Sequence, residues 1–178
     1  MGDLGDRLAR GDQAAFAELY AACADQLHPY LVSRLGSRAD ADDVVQETFV
    51  RLAHARRTLA DVDNLVAYVF TVARNEAARL LTVKRRESVS RTNQINAADL
   101  YREVSGDELE ARDTAQALAQ ALARLVPEQR EIVELKSYAE LSLREIAEIT
   151  GLPQGTVATR YRTALGHLRD WLTRKCHE

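Results

Sequence analysis

The sequence predicts an all-α protein made of two small helical domains joined by a polar linker, the second containing a helix-turn-helix. Three observations predict it. Apolar residues recur at helical spacing over most of the 178 residues, and only 8 Gly and 3 Pro interrupt them. One stretch, 87–112, loses that pattern and turns polar, dividing the chain into 1–86, a linker and 113–178. The stretch Tyr138 to Leu168 carries the turn chemistry of a helix pair suited to a DNA groove.

The totals narrow the class. Hydrophobic residues at 46% and charged ones at 29% suit a soluble helical protein. A net charge of -3 argues against indiscriminate nucleic-acid binding, which shows as a strongly basic total. Two cysteines, Cys23 and Cys176, are too few and too far apart for a disulfide framework, so a reduced intracellular protein is expected. Cys23 falls in an apolar helical pattern and reads as a small core residue; the Cys176-His177 pair has no visible partners for a metal. No cofactor or metal is expected. Asp3 and Asp6 stand where a signal peptide would be basic and then apolar, and no run is long enough to span a membrane, which points to the cytoplasm.

Leu4 to Leu35 shows an almost continuous helical pattern, with Phe16, Leu19, Tyr20, Cys23 and Leu27 as its stripe and a start or kink of a second segment expected at Pro29. Gly36 and Ser37 break it. The next helix begins near Asp40, with Val44, Val45, Phe49, Leu52 and Ala53 apolar and Asp42, Asp43, Gln46 and Glu47 on another face. Those acids fit capping of the helix start together with a solvated face. His54 to Asn64 has no stripe and reads as a loop. A helix from Leu65 to about Arg86 buries Leu65, Tyr68, Val69, Val72, Ala73, Ala77, Leu80 and Leu81, and its second half is basic through Arg74, Arg79, Lys84, Arg85 and Arg86. That basic end fits both helix C-capping and phosphate binding.

After the linker, in which Ala97 to Val104 can form a short helical turn, Ala115, Leu118, Ala119, Leu122 and Leu125 mark a helix ended by Pro127. Ile132, Val133, Leu135 and Tyr138 mark the next. Ser142 followed by Glu145 is a capping box, Gly151 supplies a left-handed helix end, and Pro153 suits the start of the following helix. Leu143, Ile146, Ala147 and Thr150 face inward, as do Val157, Tyr161, Ala164, Leu165 and Leu168. Gln154, Thr156, Ala158, Thr159, Arg160, Arg162 and Thr163 are left outward, a small, hydroxylated and basic face that fits a major groove. A domain this small buries only ~60% of its unfolded surface and is expected to be marginal alone, leaning on Trp171 and the leucines.

The order of four features, DADDVVQETFVRL, NLVAYVFTVARNEAARLLTVKRRE, a polar linker and LVPEQREIVELKSYAELSLREIAEITGLPQGTVATRYRTALGHLR, resembles the bacterial extracytoplasmic-function (ECF) sigma factors over about residues 12 to 172. The resemblance implies region 2 in 1–86 and region 4 in 113–178. It implies a sigma factor that binds core RNA polymerase, directs it to promoters and assists their melting, with an anti-sigma factor as partner. Asp43, Gln46, Glu47 and Arg51 correspond to polymerase contacts. The loop Arg56 to Asn64 corresponds to the segment that receives a flipped −10 base, and Asn64, Tyr68, Arg74, Asn75 and Arg79 to the hold on the opened strand. Gln154, Thr156, Ala158, Thr159, Arg160, Arg162 and Thr163 correspond to the reader of the −35 element. The family's frequent Trp is Tyr68 here, which also suits a core position. Its frequent basic residue followed by Ser is Ala158-Thr159, so the promoter sequence does not transfer.

Two other readings compete. A free-standing helix-turn-helix regulator would bind duplex operators, usually as a dimer on two half-sites, and would use its first half for sensing or dimerisation. An interaction protein that imitates a sigma factor to titrate its inhibitor would not need intact basic and hydroxyl faces in both halves. No phosphate loop, metal set or nucleophile with a base nearby suggests an enzyme.

Overall fold

A computed structural model describes residues 2–89 and 120–175, and no strand occurs among them. In the N-terminal half, α1 (Gly2–Ala9), α2 (Gln13–Leu35), α3 (Arg38–His54) and α4 (Leu65–Val89) surround one core, with a 3₁₀ turn (Arg56–Asp61) between the last two. The chain breaks at Gly11 and Asp12, where the sequence suggested near-continuity, and runs straight through Pro29, where it suggested a start or kink. The reason is local chemistry. Gly11 takes φ 80°, Asp12 accepts from the backbone N–H of Ala14 at 2.8 Å, and Arg7 Nε donates to Asp12 at 2.9 Å. Pro29 removes one helical donor, but Leu27, Tyr30 and Leu31 on either side are fully buried and hold the helix through it.

The break expected at Gly36 and Ser37 is present: Gly36 ends α2 in the left-handed conformation and Ser37 caps α3, which begins at Arg38. Leu19, Cys23, Tyr30, Val44, Leu52 and Phe70 form the centre of the core. Several stripe positions are corrected. Tyr20 is 48% and Leu81 38% exposed, Ala53 is also exposed, while Phe70 and Thr48 are buried. Tyr20 instead meets Phe49 edge to face, ring centroids 5.1 Å apart, on the outer side of α2 and α3. The supposed loop after His54 is the 3₁₀ turn, and its Leu59 is wholly buried under α1. Gly5 makes that packing possible: a Cβ there would lie 2.8 Å from the Leu59 carbonyl oxygen.

In the C-terminal half, α5 (Pro127–Tyr138) begins with Pro127 in its first turn, and α6 (Leu143–Thr150) begins with the predicted capping box complete on both sides. Gly151, at φ 69°, ends α6, and α7 (Gln154–Lys175) follows Pro153. One face of α5 and the inner faces of α6 and α7, through Ile132, Leu135, Ile146, Ile149 and Val157, join the same core as the N-terminal helices. The opposite face of α5 packs Val133 on Leu122, Leu125, Ala164 and Leu168, a second cluster that half-buries Trp171, with the Arg124 guanidinium 5.7 Å over its ring. Thus the small second unit leans on the first as well as on Trp171 and its leucines. Leu165, expected inside, is 40% exposed.

The readings for 90–119, including a turn at Ala97 to Val104 and helical Ala115, Leu118 and Ala119, lie outside the described residues, as do Cys176 and His177. Among the described residues no helix is long and apolar enough to cross a membrane.

Candidate nucleic-acid interface

The outward face of α7 is positioned by the turn before it. The capping box, Gly151 and Pro153 fix where α7 starts, and Val157 and Ala164, both fully buried, fix its rotation. Gln154, Thr159, Arg162 and Thr163 are exposed, and Thr156, Ala158 and Arg160 half-exposed, so the seven predicted −35 residues share an accessible face. No carboxylate pairs with Arg160 or Arg162 among the described residues. Thr159 Oγ1 donates to the Gly155 carbonyl at 2.9 Å and Thr163 Oγ1 to that of Thr159 at 3.0 Å.

The predicted strand-holding residues sit along α4, but not all face open solvent. Tyr68 is half-buried, which satisfies the core reading and the accessible one in part, and it lines a hollow of about 290 Å³ with Arg51, Asn75 and Glu76. Asn75 and Arg79 are exposed, with Arg79 3.8 Å from Glu76. Asn64 caps the start of α4 by accepting from Ala67 N–H at 3.0 Å, and its amide donates across to Glu145 at 2.7 Å. Arg74 is turned toward α5, where its fork donates to both Glu131 oxygens, at 2.7 and 3.1 Å. That pairing holds the guanidinium above its ordinary pKa. Of the basic end, Lys84 reaches across to Asp40.

On α3, Asp43, Gln46 and Glu47 are exposed together. Arg51 bonds Glu47 at 3.0 Å and the buried Glu76 of α4 at 2.9 Å, so it fixes Glu47 in place as well as presenting charge. Beside this acidic edge runs an apolar groove of about 940 Å³ between α2 and α3, lined by Phe16, Tyr20, Val45, Phe49 and Val50. The sequence reading counted the first four of these as core and left Val50 out.

A polar cluster joining the two units was missed altogether. Glu131 also accepts from Arg34 Nη2 at 2.8 Å. Glu134, 1% exposed, accepts from Ser33 Oγ at 2.8 Å and Arg130 Nε at 2.7 Å, while Arg130 Nη2 donates to the Ser33 carbonyl at 2.8 Å. The Tyr30 hydroxyl, fully buried beside this cluster, has no hydrogen-bond partner among the described residues, and burial pushes its pKa up. The signal was present: Glu131 and Glu134 interrupt the apolar face of α5 at i,i+3 spacing, where the core-facing stripe of an amphipathic helix is apolar. At the other end, the Ser142 hydroxyl and backbone N–H hold the Glu145 carboxyl below its usual range, aided by Asn64 and Lys136 and opposed by burial. Cys23 donates to the Leu19 carbonyl at 3.0 Å, and burial pushes its thiol up to about 11, the behaviour of a core residue.

The comparisons follow this geometry. The family model described as Sigma-70 region 2 matches residues 19–87, and that described as Sigma-70, region 4 matches 115–168. The ECF RNA polymerase sigma factor BldN of Streptomyces coelicolor is 32% identical over 165 residues, which span 91% of this chain and 62% of that protein. The ECF RNA polymerase sigma factor SigL of Mycobacterium tuberculosis is 31% identical over 165 residues, 90% of each chain. Among solved structures, CnrH in complex with the cytosolic domain of CnrY is similar at TM-score 0.70 and 27% identity, covering 97% of both chains. The sigma factor RpoE in complex with the anti-sigma factor NepR from Bartonella quintana, at TM-score 0.69 and 24% identity over 89% of this chain and 96% of that one, shares the fold.

Proposed function

The chain belongs to the ECF RNA polymerase sigma factors, and from that premise we propose how its surfaces divide the work of starting transcription. The protein binds core RNA polymerase, directs it to specific promoters and assists their melting. The division follows 1–86, a linker at 87–112, and 113–178. The observation that carries the reading is the coexistence in one chain of a basic face on α7, whose Arg160 and Arg162 have no carboxylate partner among the described residues, and a separate exposed acidic edge on α3. A free-standing regulator has no use for the second.

Asp43, Gln46 and Glu47, with the neighbouring apolar groove, form the polymerase-docking face, and Arg51 holds it in position. Asn64, Tyr68, Arg74, Asn75 and Arg79 hold the opened −10 strand. Here the protein needs no nucleophile. It offers unstacked bases another place to go, and stacking on an aromatic ring offsets about 1–3 kcal/mol per base. The seven outward residues of α7 read the −35 element in the major groove, Arg160 or Arg162 by a bidentate contact to guanine. The work is non-catalytic and cytoplasmic, where the polymerase is. CnrH was solved in complex with the cytosolic domain of CnrY and RpoE in complex with the anti-sigma factor NepR, and an anti-sigma factor is part of the proposal.

Transcription by purified core polymerase on a promoter library tests the whole. Wild type is expected to bind core and select promoters with two elements, and a chain that does not bind core refutes the assignment. Glu47→Lys should weaken core binding by roughly fivefold to tenfold, the scale of one interfacial charge contact. Unchanged core binding would return the acidic edge to mere helix capping.

A further inference from the structure

The first helix precedes the stretch matched as region 2, residues 19–87, yet the 3₁₀ turn rests on it. Between Arg56 and Asp63 only Leu59 is buried, and it packs under α1, whose Leu8 is fully buried in the same cluster. The ends of this segment have anchors of their own. Thr58 gives its backbone N–H and its hydroxyl to the Ala55 carbonyl, at 3.0 and 2.9 Å, and Asn64 accepts from Ala67 N–H at 3.0 Å. Between those anchors the backbone is set by α1. A Cβ on Gly5 would stand 2.8 Å from the Leu59 carbonyl oxygen and 3.3 Å from the Ala60 Cα, backbone atoms that no side-chain rotation moves aside. Glycine weakens a helix interior relative to alanine, so helix formation gives no reason for it at position 5. Close approach does. Past the end of α1, a Cβ on Gly11 would lie 3.4 Å from Arg56 Nε, so the link to α2 also meets the first residue of the 3₁₀ turn. Arg7 ties α1 to the start of α2 through Asp12 and Glu18, both at 2.9 Å.

We propose that α1 is a positioning element for the −10 contact, with Gly5 and Leu8 setting where the backbone from Ala60 to Asn64 stands when an opened base arrives. This rests on the reading given above that Asn64, with the segment leading into it, meets the opened strand. An unstacked base is a demanding ligand. Its capture offsets the cost of unstacking only when the groups that meet it are already in place. A six-residue 3₁₀ turn is a poor frame by itself, because its hydrogen bonds are less well aligned than those of an α-helix. With every residue of the segment but Leu59 open or half-open to solvent, the turn has no core of its own to stiffen it. The support comes from α1. That helix carries none of the residues assigned to polymerase or to the −35 element, so loosening its grip should be felt at the −10 element and not at the other two.

The test is transcription by core polymerase carrying the full-length chain, on a promoter library randomised at both elements. Gly5→Ala forces α1 and the turn apart. It should lower discrimination at the −10 element by about fivefold, the lower end of what one base contact contributes, with core binding and −35 preference unchanged. Arg7→Ala, which slackens the tie to α2 and leaves the core intact, should shift the same readout the same way by less. Leu31→Val trims the same core from α2 and controls for general loosening: it should lower the unfolding temperature without changing −10 discrimination. Equal loss from Leu31→Val and Gly5→Ala overturns the positioning role, as does a Gly5→Ala protein that selects −10 sequences like wild type. Where circular dichroism shows Gly5→Ala unfolded, Arg7→Ala decides, and an unchanged −10 preference in it overturns the role equally. Asp63→Ala separates the two assignments. If it changes −10 choice and Gly5→Ala does not, the segment still meets the strand and α1 is only a buttress; if neither changes it, the strand reading of the segment falls as well.

Discussion

The two faces proposed to meet nucleic acid differ in how their charge is held. On α7, Arg160 and Arg162 have no carboxylate partner among the described residues and stand on a face that the turn before them fixes in place. On α4 and its neighbours, Arg51, Arg74 and Arg79 are each set against Glu76 or Glu131, and Asn64 against Glu145. A duplex groove can be read from outside, so a reader of duplex DNA can wait with its cations bare. A site for unstacked bases is useful only after strands part, and the cations proposed for it are paired with carboxylates of the same chain. The difference teaches that the face proposed to hold opened DNA is also the one whose charge the fold already uses.

That comparison breaks most visibly at Leu135. It is fully buried on the face of α5 that joins the core of both units. Leu135→Ala should cost about 2–5 kcal/mol and loosen region 4 from region 2 while leaving the cluster around Val133 and Leu168. Thermal unfolding of the full chain would then change from one transition to two. A single transition shifted downward would show that the units do not part at this seam. A smaller effect sharpens the α7 side. Arg160→Ala should relax preference at one −35 position by about 1–3 kcal/mol, read from promoter-library transcription, with no change at the −10 element. An unchanged −35 preference would move the specific contact to Arg162.

The smallest expected effect is a pH dependence. Ser142 and Asn64 hold Glu145 below its usual pKa of 4.5, so the stabilisation it gives is complete above that value and is lost as pH falls through its lower folded value. Helicity should therefore weaken below about pH 4.5, and Glu145→Gln should flatten that dependence relative to wild type. If the variant titrates like wild type, other carboxylates carry the acid sensitivity.

How much of this was legible follows from the range of each signal. Ser142 with Glu145, Gly151, Gly36 and Pro127 act within four residues of themselves, and all were readable. The outward face of α7 was readable because Val157, Ala164 and Leu168 set the period. Gly11 and Asp12 were passed over because an apolar stripe continued on both sides and Pro29 was the louder punctuation. Leu59 hid in a polar stretch, since one buried residue in a 3₁₀ turn makes no periodicity. Glu131, Glu134, Ser33 and Arg34 could not be paired from sequence, because their partners lie a whole domain away. The sequence assigned Arg74 to the opened strand and gave no sign that the fold also pairs it with Glu131.

The back-bonding of Thr159 and Thr163 has one more consequence. Each hydroxyl hydrogen already goes to a helix carbonyl, at 2.9 and 3.0 Å. What remains to face a groove is a lone pair and a methyl group. With α7 in the major groove as proposed, these two threonines can take a hydrogen from the amino group of adenine or cytosine, or touch a thymine methyl, and can give nothing to the oxygen of guanine. The alphabet is thereby split between neighbours: the arginines answer to acceptors on the bases, and the threonines between and beside them answer to donors and methyls.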